Sequence, residues 1–338
     1  MLAYGRLKYS GELLSLLAAL LIFALLPKPV CAEGYHVLRQ WGSRGTAPGE
    51  FRSPQALALD ATGQVYVVDQ ENHRVQKFTP QGNFLATWGA YGTAPGQFSS
   101  PLSIAIDAAG QVFVADEDTA RIQVFTTNGA FLRQWGSPGD GPGQFYYEPD
   151  MGGGLSGLAV DHEGHVYASD TYLHRVQKFT SQGKFLLQWG TKGEAPGQFH
   201  TPRSLAVDPE GHVYVADTFN YRIQKFTGAG KFVMQWGERG YNPGRLMGPW
   251  GVAVDRRGQV YVSDDNAYDF ITGESEDFLS QLVQFTATGR FLTRWGAGHE
   301  GSDLFTMFAG LAVDAAGNVY VADSENDRVV VFAPDEAR

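Results

Sequence analysis

One unit, read six times, decides what this chain can fold into. Asp60, Asp107, Asp161, Asp208, Asp255 and Asp314 each close a short apolar run such as Leu57-Ala58-Leu59-Asp60. Glycine follows three residues later, at Gly63, Gly110, Gly164, Gly211, Gly258 and Gly317. A Val-Tyr-Val-like run then ends in a second aspartate, at Asp69, Asp116, Asp170, Asp217, Asp264 and Asp323. In five units an arginine stands five residues further on: Arg74, Arg121, Arg175, Arg222 and Arg328. Each unit finishes with a Val-Gln-Lys-Phe-like run, a glycine turn and Phe-Leu-x-x-Trp-Gly, with tryptophans at Trp41, Trp88, Trp135, Trp189, Trp236 and Trp295. Equivalent positions lie 47 residues apart, except for one interval of 54 and one of 59. Self-similarity at such a period belongs to solenoids, propellers and arrays.

The unit holds four alternating apolar runs of five to seven residues, bounded by Gly, Pro, Asn or Asp. That reads as four antiparallel strands. Six such units predict an all-β fold, a six-bladed β-propeller of four-stranded blades. The chain enters on Tyr35-His36-Val37-Leu38-Arg39-Gln40-Trp41-Gly42, which matches the fourth run of a unit. The last unit stops after its third run, Val329-Val330-Val331-Phe332. The N-terminal strand is therefore expected to complete the last blade and close the ring, hiding edges that would otherwise aggregate. One propeller over residues 35–335 leaves almost nothing for a second domain.

These residues resemble the NHL repeat. The pattern is Pro-x-x-Leu-Ala-Val-Asp followed by Gly-x-Val-Tyr-Val-Ala-Asp-x-x-Asn-x-Arg-Val-Gln-Lys-Phe, and Asp217-Thr218-Phe219-Asn220-Tyr221-Arg222-Ile223-Gln224-Lys225-Phe226 is its best copy. The resemblance implies a propeller but no single function. Similar propellers serve as protein-binding, RNA-binding and extracellular sensor domains and as metal-dependent lyases, and fold does not settle function.

Before the repeats, Arg6 and Lys8 precede an apolar run from Leu13 to Leu26, too short to span a bilayer comfortably. Val30-Cys31-Ala32 supplies small residues for cleavage after Ala32, so residues 1–32 read as a signal peptide. The alternatives are an uncleaved membrane anchor over residues 13–26 and a lipoprotein signal at Cys31, which Val30 fits poorly. Cleavage removes the only cysteine, three basic side chains and one acidic one, and moves the formal charge from −10 to −12. A thiol-free acidic chain suits an oxidising secreted, periplasmic or other extracytoplasmic space. The acidic balance argues against nucleic acid as a partner.

Symmetry then sorts structure from function. The twelve repeated aspartates read as turn caps and arginine partners. The tryptophans read as packing between blades. Function should break the pattern, and both insertions fall on one face, here called the top. The first surrounds Tyr146-Tyr147-Glu148-Pro149-Asp150-Met151-Gly152-Gly153-Gly154. The second runs from Asp265 to Ser280, carries Asp265, Asp269, Glu274, Glu276 and Asp277, and puts Gln281 where other blades have arginine. The residue after each repeat proline belongs at the top mouth of the central channel: Gln55, Leu102, Ser156, Arg203, Trp250 and Ala309. Arg203 and Trp250 stand on neighbouring blades, where a guanidinium for an anion and an indole for stacking suit a peptide carboxylate or a sugar.

Zinc is disfavoured. The amidating lyases similar to this family hold it with histidines around the channel, and the eight histidines here form no such ring. His165 and His212 fall in bottom turns, His73 and His174 in top turns toward the outside. No cofactor is expected. Calcium is the candidate ion, with Asp265, Asp269 and Glu274 as ligands of weak pattern. No nucleophile or phosphate-loop signature stands out. The expected function is a monomeric binding, scaffold or sensor module holding a protein, peptide or glycan through Arg203, Trp250, Tyr146, Tyr147 and Gln55. The alternative is a lyase or hydrolase resembling amidating or streptogramin lyase, with His200, Glu148 and Asp150 as its nearest polar candidates.

Overall fold

A computed structural model describes residues 34–150, 152–265, 280–296 and 308–335. Within them, six four-stranded antiparallel sheets follow one another as blades. Blade four shows the pattern: Pro202–Val207, Val213–Asp217, Arg222–Phe226 and Phe232–Trp236, from the channel outward. The second strand of each blade is buried on both faces, as in Val213–Asp217, because a neighbouring blade covers each side. Six apolar clusters fill the interfaces. The one between blades three and four joins Tyr167, Val176 and Phe199 to Leu205, Val215 and Phe226.

The expected closure is present. The sheet of the last blade runs Tyr35–Trp41, Arg328–Pro334, Val319–Asp323, Phe308–Val313, with the N-terminal strand outermost. Five of the six repeat tryptophans lie over the glycine that turns the next blade from its third to its fourth strand. A Cβ on Gly82 would come within 2.7 Å of the Trp41 ring, and one on Gly230 within 2.8 Å of Trp189. These glycines also take positive φ (87° and 75°), so two independent constraints require them.

The two aspartate sets do separate jobs. Asp208 caps its bottom turn by accepting from the His212 amide (2.8 Å) and the Tyr214 hydroxyl (3.0 Å). Asp217 is buried at the top, where Arg222 Nε (2.7 Å), Asn220 (2.8 Å) and Gln224 (2.9 Å) donate to it. It also accepts from the His200 amide in the loop entering its own blade (2.7 Å), so this carboxylate ties loop to blade.

Blade five breaks this network. Gln281 replaces the arginine and donates to Asp264 at 3.0 Å, beside the Met247 and Gly248 amides, both at 2.8 Å. Burial, with Asp265's charge adding, pushes the Asp264 carboxyl up to about 6. The folded state therefore holds a proton here that the unfolded chain releases near its ordinary value. This contribution to stability is full below that value and lost as pH rises through about 6. Asp264→Asn should flatten this fall and stabilise the protein at pH 7.5 by up to about 3 kcal/mol, read by urea unfolding from pH 4 to 8. Asp170, raised to about 6 by burial although Arg175 opposes it, should leave a residual slope. A variant less stable than wild type at pH 7.5 would contradict the assignment.

Candidate functional site at the top of the channel

The first strand of every blade starts at the top, and its second residue turns into the channel. Gln55, Leu102, Ser156, Arg203, Trp250 and Ala309 line one well there, floored by Ala56, Ser103, Gly157, Ser204 and Gly310. Its space, counted out to open solvent, is about 360 Å³. The ring expected from the sequence is thus assembled at one mouth. Small residues below the rim set its depth. A Cβ on Gly157 would come within 2.3 Å of the Arg203 carbonyl.

Arg203 is held from blade three. Thr171 Oγ1 donates to the Pro202 carbonyl (2.9 Å) and Ser169 Oγ to the Arg203 carbonyl. The guanidinium carbon stacks 3.6 Å from the centroid of the Trp250 ring, close enough for a strong cation–π contact. Its Nε is buried without a hydrogen-bond partner. Burial pulls the group down to about 10, while Tyr172, Glu117 and Asp265 pull it back up. It stays a cation at neutral pH, with donor capacity unspent.

Glu117 was not anticipated from the sequence. It opens a short 3-10 turn, Glu117–Thr119, at the top of blade two. The blade-three insertion folds as a small hairpin, Tyr147–Glu148 against Gly152–Gly153, which packs on that turn. A Cβ on Gly153 would come within 2.2 Å of the Glu117 carbonyl, so only glycine permits the close approach. Burial, then the charge of Asp118, pushes the Glu117 carboxyl up to about 7; Arg203 and a hydrogen bond from Ser100 oppose the rise. A sequence signal existed. The position after the second repeat aspartate is a hydroxyl in Thr171, Thr218 and Ser324, each donating to the first carbonyl of the next blade at 2.9, 2.8 and 2.7 Å. Blades two and five put Glu117 and Asp265 there instead.

The other expected residues divide. Tyr146 leans on Tyr172, ring centroids 5.0 Å apart, and the Tyr172 side of the pair is 40% exposed. Tyr147 instead packs against the buried cluster between blades two and three. Gln55 donates to Ser53 Oγ at 2.8 Å. Glu148 and Asp150 are exposed in the hairpin. His200 sits in the linking loop of blade four, 5.8 Å from the His174 ring and 5.3 Å from Phe219. Asp269 and Glu274 lie outside the described residues; Asp265 accepts from Ser280 at 3.1 Å.

Among the described residues, two groups have the donor types for a metal: Asp161, Glu163 and His165, and Asp208, Glu210 and His212. Both are bottom turns. His165 Nδ1 meets Asp161 at 3.0 Å where other blades use an amide, as Gln111 does to Asp107 (2.7 Å) and Asn318 to Asp314 (2.8 Å). Lys178 and Lys225 stand 3.7 and 3.2 Å from the same carboxylates. The imidazoles therefore act as turn locks, away from the mouth.

The comparisons with known proteins agree with this architecture. The NHL repeat model matches residues 51–78, 98–125, 199–226 and 305–332. The chain thus carries NHL repeats, and the structure arranges them as a six-bladed β-propeller. Among curated proteins, none matches the sequence. A structural-genomics protein of unknown function from Bacteroides thetaiotaomicron is similar, with TM-score 0.63, 15% identity, and 89% of this chain aligned to 76% of that one. Virginiamycin B lyase from Staphylococcus aureus is similar too, with TM-score 0.56, 12% identity, and 89% of this chain aligned to 99% of that one. So is an inactive histidine-to-alanine variant of the same lyase with quinupristin, at TM-score 0.58 and 11% identity, over 89% of this chain and 99% of that one. At these identities the likeness is one of fold.

Proposed function

We propose that the chain is an exported binding module that holds a peptide, protein segment or envelope polymer on its top face. The observation that carries this reading is Arg203 stacked on Trp250 at the channel mouth, where the other four blades place Gln55, Leu102, Ser156 and Ala309. The top turns add exposed rings, with Tyr91 at 71%, Tyr241 at 41% and Tyr172 at 40%, whereas the bottom turns carry no Phe, Tyr or Trp. Amphipathic rings gathered on one face of a rigid scaffold are what a recognition surface needs.

A metal-dependent lyase finds less support. The mouth residues offer neither imidazole nor carboxylate, and the Arg203 charge opposes a cation there.

The test is capture of soluble envelope digests on the immobilised protein. Arg203→Ala with Trp250→Ala should cut retention roughly tenfold or more, as loss of two central anchors does. Thermal unfolding should stay close to wild type, because neither side chain belongs to a blade-interface cluster. Equal retention by the double variant would remove the mouth from the site.

A further inference from the structure

The mouth also says what kind of ligand group it takes, an inference that rests on the top-face reading. Among its lining residues, Arg203 is the single charged one. Around that cation stand carboxylates: Glu117 on blade two and Asp265 on blade five both act on it, as does Tyr172. Glu148 and Asp150 are exposed on the nearby hairpin, and the whole chain carries a formal charge of −10. The top loops also carry exposed cations at Arg44, Arg52, Lys192 and Arg239. The well itself holds one charge, which matches one anionic group. The well is lined from all six blades, so it lies on the propeller axis rather than along a groove, which suits a chain end better than a chain passing through.

We propose that the mouth captures the C-terminal carboxylate of a peptide end-on, with Arg203 as its donor, Trp250 holding the guanidinium plane, and Glu117 as the adjoining side chain.

Arginine matches a carboxylate with two parallel N–H donors in a fixed fork. Stacking on Trp250 fixes that fork in one plane, and Arg203 Nε is buried and unpartnered. The residues before the carboxylate would rise out of the well onto the paired rings of Tyr146 and Tyr172, the latter exposed. Glu117 couples this capture to protons. Asp116 and Asp118 flank it on its own turn. Ser100 donates to it from the loop entering blade two, where Gln70 Nε2 reaches the Ser100 hydroxyl at 3.1 Å. The hairpin backbone at Gly153 covers it, and the Arg203 charge acts on it. Its carboxyl already titrates at about 7 in the free protein, and a second carboxylate on Arg203 raises it further. Binding therefore takes up a proton above pH 7, and affinity falls as pH rises.

The experiment uses an N-acetylated random hexapeptide pool, prepared once as free acid and once as C-terminal amide. At pH 6 the immobilised protein should retain the free acids roughly tenfold or more over the amides, the ratio expected for one charge-assisted pair. That preference should vanish in Arg203→Gln. Retention of the acids should drop roughly tenfold between pH 6 and pH 8.5, and Glu117→Gln should flatten that profile. Equal retention of acids and amides, both lost in the Arg203/Trp250 double variant, would overturn end-on capture and leave the top-face reading standing. Retention of oligogalacturonate in place of either pool would overturn it in favour of an acidic glycan. A Glu117→Gln profile as steep as wild type would remove Glu117 from the site.

Discussion

A chain lacking residues 34–41 is expected to show no cooperative unfolding transition and to associate in solution. The strand it loses, Tyr35–Trp41, is the outer strand of the last blade, paired to Arg328–Pro334 from Tyr35↔Pro334 to Trp41↔Val329. Its removal bares the edge of the third strand in that blade, Val-rich and otherwise buried. An unpaired apolar edge of that kind templates pairing with another chain. Two further contacts go with it. Tyr35 stacks on Trp295 at 4.0 Å and 9°, covering the interface between blades five and six. Trp41 packs on Phe78 and over Gly82, covering the interface between blades six and one. Losing either large aromatic costs roughly 3–5 kcal/mol on its own, against a domain stability of about 5–15 kcal/mol. A shallow melt and early elution on size exclusion are expected. A truncated chain that melts sharply at the wild-type temperature would show that the ring closes without its outer strand.

The architecture was legible because the chain states it six times. A propeller blade needs apolar alternation, a capped turn and a glycine at fixed offsets, and repetition averages away the ambiguity of any single run. The channel ring was legible for the same reason, since Gln55 through Ala309 occupy one repeat position. What repetition conceals is how one blade reaches another. Glu117 sits under the blade-three hairpin and feels the charge of Arg203 two blades away, and nothing in the local pattern announces either. Tyr146 and Tyr147 look equivalent in the sequence, but successive residues of an extended chain point to opposite faces. One ring therefore meets Tyr172 and the other enters the core. The histidines of the bottom turns carry metal-binding chemistry in composition, yet their geometry is that of the amides they replace.

Arg222→Ala should be the most destabilising single substitution of a polar residue in blade four, costing about 3–5 kcal/mol. The residue is 5% exposed and its side chain spends its donors fully. Nε meets Asp217 at 2.7 Å, Nη1 reaches the Glu194 carbonyl (2.6 Å) and Gln235 (3.0 Å), and Nη2 reaches the Ala195 and Gln198 carbonyls (3.2 and 2.9 Å). It thus pins the loop entering blade four to that blade's second and third strands. Alanine would strand the Glu194 carbonyl, take one of two donors from the Ala195 and Gln198 carbonyls, and leave Asp217 buried without its countercharge, when burial already raises that carboxyl. Lysine should recover little, because a single ammonium cannot reproduce the planar fork. Arg222→Ala combined with Asp217→Asn should recover part of the loss by removing the buried charge, and Arg222→Gln with Asp217→Asn more of it. That last pair approaches blade five, where Gln281 stands in the arginine position and donates to Asp264. Urea unfolding at pH 7 separates the outcomes. A cost below about 1 kcal/mol for Arg222→Ala would place the repeated arginine among ordinary surface ion pairs and leave the glutamine of blade five as the equal of the rest.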